Sequence, residues 1–349
     1  MKQRLTALIL LCALLTGCAA AGKGEQPLTA TVLAMDTVMN FTLYGGGMGE
    51  EQLRQALSGA EDTLRQLDAA LTAQGAEGEA AALNAADGAW TAVPQSGALL
   101  QQTLELAELT GGALDPTAYA AVKAWGFADG NYRIPPAEEL EQLKADIDYT
   151  RVELSEDGAQ ARLAPGQQLD FGATAKGWAG DLLRQQLEQG GITSALLDLG
   201  QSSIAAVGTK PDGSPWRIAV QDPAGDSGDY VGILELSGRS MGTSGSYQRY
   251  FEQDGVRYCH IIDQATASPA QSGLAGVTVV ADSCLLCDGL STALFVMGLE
   301  DGVRFWRENS SLGFDVIFIT DAGEIFVTSG LKDSFSLADG EEREVQVLE

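Results

Sequence analysis

Between residues 194 and 236 the chain sets four strand-length apolar runs one after another, at 194–199, 204–207, 216–220 and 230–236, with only Gly, Pro and Asp turns between them. Short runs bounded by such residues read as strands. Helix-patterned segments lie elsewhere, so strands and helices mix without the regular alternation of a doubly wound sheet. The expected class is α+β. Upstream, residues 29–44 are rich in Thr, Val, Leu and Phe and read as two strands broken near Met35-Asp36. Leu53, Leu57, Ala60, Leu64, Leu67 and Leu71 then recur at three and four, the spacing of a long amphipathic helix. A second helix is predicted over 97–110, stopped by Gly111-Gly112, and a third follows the two prolines at 135–136. Short strands are predicted at 151–154 and 161–163, a helix ending near Gln189, a strand at 273–280, a helix at 283–299 and a terminal hairpin at 314–327. No repeat or composition break divides the chain, so residues 29–349 are expected to form one domain.

The N-terminus carries Lys2 and Arg4 before an apolar run from Leu8 to Leu15. That run is too short to span a bilayer and suits the core of a signal peptide. It ends in Leu15-Thr16-Gly17-Cys18, the order of a bacterial lipoprotein cleavage box. The expectation is a signal peptide over 1–17, acylation of Cys18, and a tether over 18–28. The protein would then sit on the outer face of the cell membrane, held by lipid.

The formal net charge is -27. Phosphate backbones need basic surface, so nucleic acid is an unsuitable partner. Any phosphate-bearing ligand has to be met locally, by a metal, a helix end or a few placed lysines. Asp288 and Thr292 lie four apart on the 283–299 helix and share a face; a carboxylate and a hydroxyl are hard oxygen ligands of the kind Mg²⁺ takes. The same pair also fits a buried polar contact. Gly172-Ala173-Thr174 leads into a helix with Lys176 in its first turn, where unpaired N–H groups favour anions, although a capped helix with a solvated lysine has the same spacing. His260 is the single histidine, and a general base near neutrality falls most naturally to that side chain. Cys284-Leu285-Leu286-Cys287 invites a redox or zinc reading. Cys259 and His260 are neighbours on a strand and point to opposite faces, which argues against their sharing one zinc ion, and packing is the simpler role for the cysteines.

Five ordered stretches resemble the ApbE family of FAD:protein FMN transferases. They are Met35-Asp36-Thr37-Val38-Met39; Gly112-Ala113-Leu114-Asp115-Pro116-Thr117 with Trp125-Gly126-Phe127; Leu169 to Gly177; Thr243-Ser244-Gly245-Ser246-Tyr247 running on to His260-Ile261-Ile262-Asp263; and Asp288-Gly289-Leu290-Ser291-Thr292-Ala293. The resemblance implies a single T-fold-like domain with two lobes and a central cleft. It implies Mg²⁺ on the side chains of Asp288 and Thr292 and the carbonyl of Ala173. It implies FAD held by Met35, Ala113, Leu114, Asp115, Asp170, Lys176 and Ile262, and a catalytic role for His260. The implied reaction moves FMN from FAD to a Thr or Ser hydroxyl of an exported FMN-binding acceptor domain of an electron-transfer protein, releasing AMP. An FAD pyrophosphatase giving FMN and AMP, and a non-catalytic FAD-binding lipoprotein, are the alternatives. Three departures stand out. Gln264 to Pro269 replaces the family's Pro-x-Thr-Gly-x-Pro, which predicts a looser loop. Gln201-Ser202 replaces Gly-Asn. Gln74 stands where the family often has an aromatic residue.

Overall fold

The computed structural model describes residues 25–75, 77–226 and 228–349. The expected signal peptide, Cys18 and all but the last residues of the expected tether lie outside the described residues.

Among the described residues the largest sheet has nine strands, and their order in space follows their order in the chain. It runs Leu28–Ala34, Thr37–Tyr44, Ser194–Asp198, Ser203–Gly208, Ser240–Gly245, Leu274–Ala281, Asp315–Thr320, Ile325–Thr328 and Val345–Leu348. Every neighbouring pair is antiparallel except the last, where Val345–Leu348 lies parallel to Ile325–Thr328. Six helices fall between the second and third strands: α1 (Glu50–Leu71), α2 (Glu79–Ala85), α3 (Gly97–Leu109), α4 (Tyr119–Ala124), α5 (Ala137–Asp146) and α6 (Ala175–Gln189). A seventh, α7 (Cys284–Glu308), follows the sixth strand and kinks at Gly298, where φ is +79°.

The central strands are covered on both faces. Ala205 and Val207 join the core built with α1 and α6, whereas Ile204 and Ala206 join the core of a small sheet made of Trp216–Gln221, Tyr230–Leu236 and Phe335–Leu337. Double burial explains why Leu274–Ala281 is buried at all eight positions and reads as a continuous apolar run. On α1 the buried face is Leu53, Leu57, Ala60, Leu64, Leu67, Ala70 and Leu71, the stripe the sequence predicts. The architecture is a single mixed α+β unit, as expected.

The structure corrects several expectations. Ser240–Gly245 is a central strand, yet its sequence Ser-Met-Gly-Thr-Ser-Gly carries no strand pattern. The cause is α7, which crosses directly over it: a Cβ on Gly242 would stand 2.5 Å from the Cys287 carbonyl. The 314–327 hairpin is not terminal, because Val345–Leu348 adds a further strand. Two short helices, α2 and α4, also lack a sequence signal of their own.

A candidate active site in the central cleft

A cleft of about 1470 Å³ opens beside the sheet, larger than the ~300–1,000 Å³ of an ordinary ligand pocket. Met35, Leu114, Asp115, Asp170, Ala173, Lys176, His260, Ile262, Asp288 and Thr292 all line it. Ala113 does not; it packs against the main core instead. The expected site residues therefore converge from five separate stretches, with that one exception, and Cys18 lies outside the described residues.

Asp288 sits on the second turn of α7 and is 4% exposed. One carboxylate oxygen accepts the Ser203 hydroxyl at 2.8 Å and the other accepts the Gly177 N–H at 2.9 Å. Lys176 Nζ stands 4.0 Å from the second oxygen. One first-turn N–H of α6, that of Gly177, is thus given to Asp288. Thr292 faces the same way one turn on, its hydroxyl 3.1 Å from that of Ser244, and Ser244 in turn lies 2.8 Å from the Ser291 hydroxyl. Two helices hold this arrangement. Asp181 of α6 accepts the N–H groups of Cys284 and Leu285 at 2.8 and 3.0 Å and the Ser283 hydroxyl at 2.7 Å. Its carboxylate caps α7 from outside and fixes the helix start. The helices touch closely because α6 offers glycines: a Cβ on Gly177 would meet the Cys284 carbonyl at 2.5 Å.

Among the described residues no three His, Cys, Asp or Glu side chains gather into a metal cage. The donors present are the Asp288 carboxylate and the hydroxyls of Thr292 and Ser244, with Ala173 also lining the cleft. This set fits Mg²⁺, which is commonly held by one or two carboxylates and completed by waters and substrate phosphates. It does not fit a thiolate-bound zinc.

His260 lines the cleft from a separate hairpin. It follows the strand Val256–Cys259, and its N–H donates to the Arg249 carbonyl at 3.0 Å. Cys259 turns into the core while His260 faces the cleft, as strand alternation requires. Burial, together with the positive charges of Arg249 and Lys176, pulls the imidazole pKa down to about 4. It is neutral at pH 7 and able to accept a proton. The Trp125-Gly126-Phe127 segment braces this wall. The Trp125 indole donates to the Ala267 carbonyl at 2.9 Å, Phe127 accepts from the Arg249 guanidinium, and the Phe127 ring meets the His260 ring at 6.5 Å. Gly126 has φ +84°, and a Cβ there would lie 2.2 Å from the Asn131 carbonyl.

Asp115 and Asp170, the two carboxylates expected at the FAD site, differ in how they are used. Both Asp115 oxygens are taken by its own chain, from Thr117 N–H at 2.8 Å, Thr117 hydroxyl at 2.6 Å and Tyr149 N–H at 2.9 Å. Burial raises its pKa against those bonds. Its carboxylate shapes the wall more than it reaches for a ligand. Asp170 accepts only the Gly172 N–H, at 3.0 Å. Its pKa is also raised by burial, opposed by that bond and by Arg249 and Lys176.

The departures from the family pattern prove tightly built. In the 264–269 loop, Asp263 accepts the N–H groups of Ala265 and Thr266 at 2.9 and 3.1 Å, and the Asp263–Ser268 and Ile262–Pro269 pairs close it. Looseness is not found. Ala267, at the family's Gly position, is fully buried and keeps a left-handed φ of +53°, which costs a residue with a Cβ roughly 1–2 kcal/mol. Ala267→Gly should stabilise the protein by about 0.5–1 kcal/mol, measured as a raised midpoint in denaturant with activity unchanged. Gln201 likewise holds φ +67°, after Gly200, where a Cβ would stand 2.5 Å from Thr37. Gln74 lines the cleft.

Cys259, Cys284 and Cys287 are free and buried. Burial pushes all three thiols up from their ordinary pKa. They are packing residues without thiolate character. Iodoacetamide should leave all three unlabelled in the folded protein and alkylate them only after unfolding, a difference that intact-mass measurement reads directly.

Sequence reasoning missed Ser203, Ser244 and Arg249. Ser203 carries no signal of its own; Ser244 and Arg249 sit inside a recognised stretch but had no role assigned.

A model of the ApbE family matches residues 35–318. The FAD:protein FMN transferase of Vibrio cholerae is 35% identical over 245 residues, spanning 68% of this chain and 71% of that one. The protein of the same name from Treponema pallidum is 32% identical over 323 residues, 88% of each chain. Among solved structures, the ApbE protein of Thermotoga maritima superposes with a TM-score of 0.81 at 27% identity, covering 88% of this chain and 99% of that one. A flavinyl transferase ApbE from Pseudomonas stutzeri gives 0.75 at 30% identity. With most of its length matched by the family model and by these relatives, the chain belongs to the ApbE family.

Proposed function

We propose that this protein is an FAD:protein FMN transferase. It binds FAD in the central cleft, passes the FMN half to a Thr or Ser hydroxyl of an exported acceptor protein, and releases AMP. The observation that carries the reading is the meeting, in one cleft, of a neutral His260, the Lys176 cation and the Asp288–Thr292 oxygen pair. Two relatives named for this activity are 35% and 32% identical over 68% and 88% of this chain.

Displacement at a diphosphate asks the protein for position and charge, with little covalent help. Asp288, Thr292 and the Ala173 carbonyl would hold Mg²⁺, which when bound supplies positive charge to the phosphate oxygens. Lys176 adds a second charge from the first turn of α6. Met35, Leu114, Asp170 and Ile262 form the walls against which FAD lies. Met35 and Asp36 both hold positive φ, at +49° and +59°, and the Met35 N–H is pinned to Asp68 at 2.8 Å. Strain of this kind is kept where a tight hairpin must present a side chain. The acceptor hydroxyl attacks the FMN phosphorus, His260 takes its proton, and AMP departs with the bridging oxygen.

Export and lipid anchoring at Cys18 are part of the same proposal, supported by the sequence order at 2–18. The protein would work on the outer face of the membrane, where its acceptor is also exported.

The test uses the purified full chain in detergent with FAD, Mg²⁺ and a candidate FMN-binding acceptor domain. An acceptor heavier by one FMN less water, with equal AMP, supports the transferase. Free FMN with AMP and unmodified acceptor favours the pyrophosphatase. Bound, uncleaved FAD leaves only a flavin-binding protein.

A further inference from the structure

Three arginines line the cleft, and two have acidic partners. Arg343 bridges Asp222 and Glu341, each at 2.5 Å. Arg257 pairs with Glu252 at 3.2 Å and lies over the Tyr250 ring, 4.2 Å from its centre. Arg249 forms no ion pair among the described residues; its one contact there is the Phe127 carbonyl, which takes one of five guanidinium N–H donors. The side chain is exposed to the cleft.

In a chain with 48 acidic and 21 basic residues, acidic partners are plentiful, and an unpaired guanidinium in a ligand cleft is a receptor for an anion brought from outside. Its place narrows the choice of anion. The Arg249 carbonyl accepts the His260 N–H at 3.0 Å, so the two residues stand opposite each other at the base of a hairpin. Asp170 and His260 each feel the charges of both Arg249 and Lys176. Two cations, one from the hairpin and one from α6, therefore act on a single neighbourhood beside the proton acceptor. A diphosphate carries charge on two adjacent groups, and the guanidinium fork matches a phosphate's paired oxygens better than an ammonium does.

We propose that Arg249 is a catalytic phosphate-binding residue, its guanidinium taking the non-bridging oxygens of the phosphoryl group in transfer. The assignment rests on the FAD-cleaving reading above. In the step, the acceptor oxygen bonds to the FMN phosphorus, the bond from that phosphorus to the bridging oxygen breaks, and AMP leaves with the electron pair. The hydroxyl proton goes to His260. Arg249 meets the charge on the equatorial oxygens throughout, while the Phe127 carbonyl keeps the guanidinium aimed.

The test measures AMP release from FAD by full-length wild type, Arg249→Ala and Arg249→Lys, with and without millimolar guanidinium ion. Loss of one such donor lowers kcat by about 10²–10³-fold. For Arg249→Ala we expect a loss of that size, a recovery of about tenfold or more on adding guanidinium, and no recovery with sodium at equal ionic strength. Unchanged turnover, or a loss that guanidinium does not restore in a folded variant, overturns the assignment. Should Arg249→Ala fail to fold, Arg249→Lys keeps the charge and a donor for Phe127 but loses the fork; we expect a fall of about tenfold, and wild-type kcat in that variant counts against the proposal. If wild type releases no AMP, the transferase reading fails independently. Titration of inorganic pyrophosphate with Mg²⁺ then decides Arg249: affinity at least tenfold weaker in Arg249→Ala sustains it, and equal affinity overturns it.

Discussion

Asp288→Asn is expected to lower Mg²⁺-dependent FAD cleavage by about 10³-fold, the equivalent of the several kcal/mol a bound cation contributes to phosphoryl transfer. The substitution is nearly isosteric, and its hydrogen bonding can be preserved. The amide oxygen replaces the carboxylate oxygen that accepts from Gly177, and the amide nitrogen donates to Ser203, whose hydroxyl turns to accept. Folding should therefore survive, with a thermal midpoint within a few degrees of wild type, while the only carboxylate beside Thr292 and Ser244 in this hydrogen-bonded group loses its charge. Activity against Mg²⁺ concentration is the measurement. A variant with wild-type turnover and an unshifted Mg²⁺ dependence would remove Asp288 from the metal site.

His260→Gln should cost about 10²–10⁴-fold in kcat, the range for a positioned general base, with FAD affinity little changed. The pH profile adds a second reading. The imidazole titrates near 4 in the ligand-free protein because burial and the neighbouring cations disfavour its charged form. Its proton-accepting form therefore persists as pH falls through the usual histidine range. The acid limb of wild-type kcat/KM that belongs to His260 should lie near pH 4 instead of 6.5, with activity lost on going below it. His260→Gln should be slow at every pH and should lack that limb. A wild-type limb at 6.5 would mean that the imidazole is not held in this environment during turnover. The stability effect has the same sign. Between about 4 and 6.5 the unfolded chain binds a proton at this histidine that the folded protein refuses, so this contribution to stability declines as pH falls through that window.

Most of the fold was legible because its apolar periods are strong. The two-strand break at Met35-Asp36 and the stripe from Leu53 to Leu71 are both found where the residue pattern places them. The central strand Ser240–Gly245 stayed hidden because its neighbours approach too closely for side chains. Gly242 and Gly245 erase the apolar signature of a central strand because α7 and the Tyr247 ring occupy the space where side chains would stand. The site was read mainly through family resemblance. Spacing alone left Asp288–Thr292 and Lys176 open to ordinary packing roles, and only the fold brings Ser203 and Ser244 beside them and Arg249 to the same cleft. Asp115 shows the converse: a recognisable residue whose carboxylate proves to be engaged in its own loop.

The agreement between chain order and strand order in the large sheet has a consequence for how the protein assembles. From Ser194 onward each new sheet strand pairs with the one before it over modest sequence distances, so that part can zip up locally, carrying Asp288 into place on α7. The N-terminal hairpin cannot join it until Thr37–Tyr44 meets Ser194–Asp198. That contact closes a loop of roughly 150 residues, the slow and entropically costly event in such a topology. Met35, at the turn of that hairpin, reaches the cleft only with it. Competence for the reaction should thus appear late in refolding, after most of the sheet has formed, and a chain caught before that closure would carry Asp288 on α7 without Met35 at the cleft.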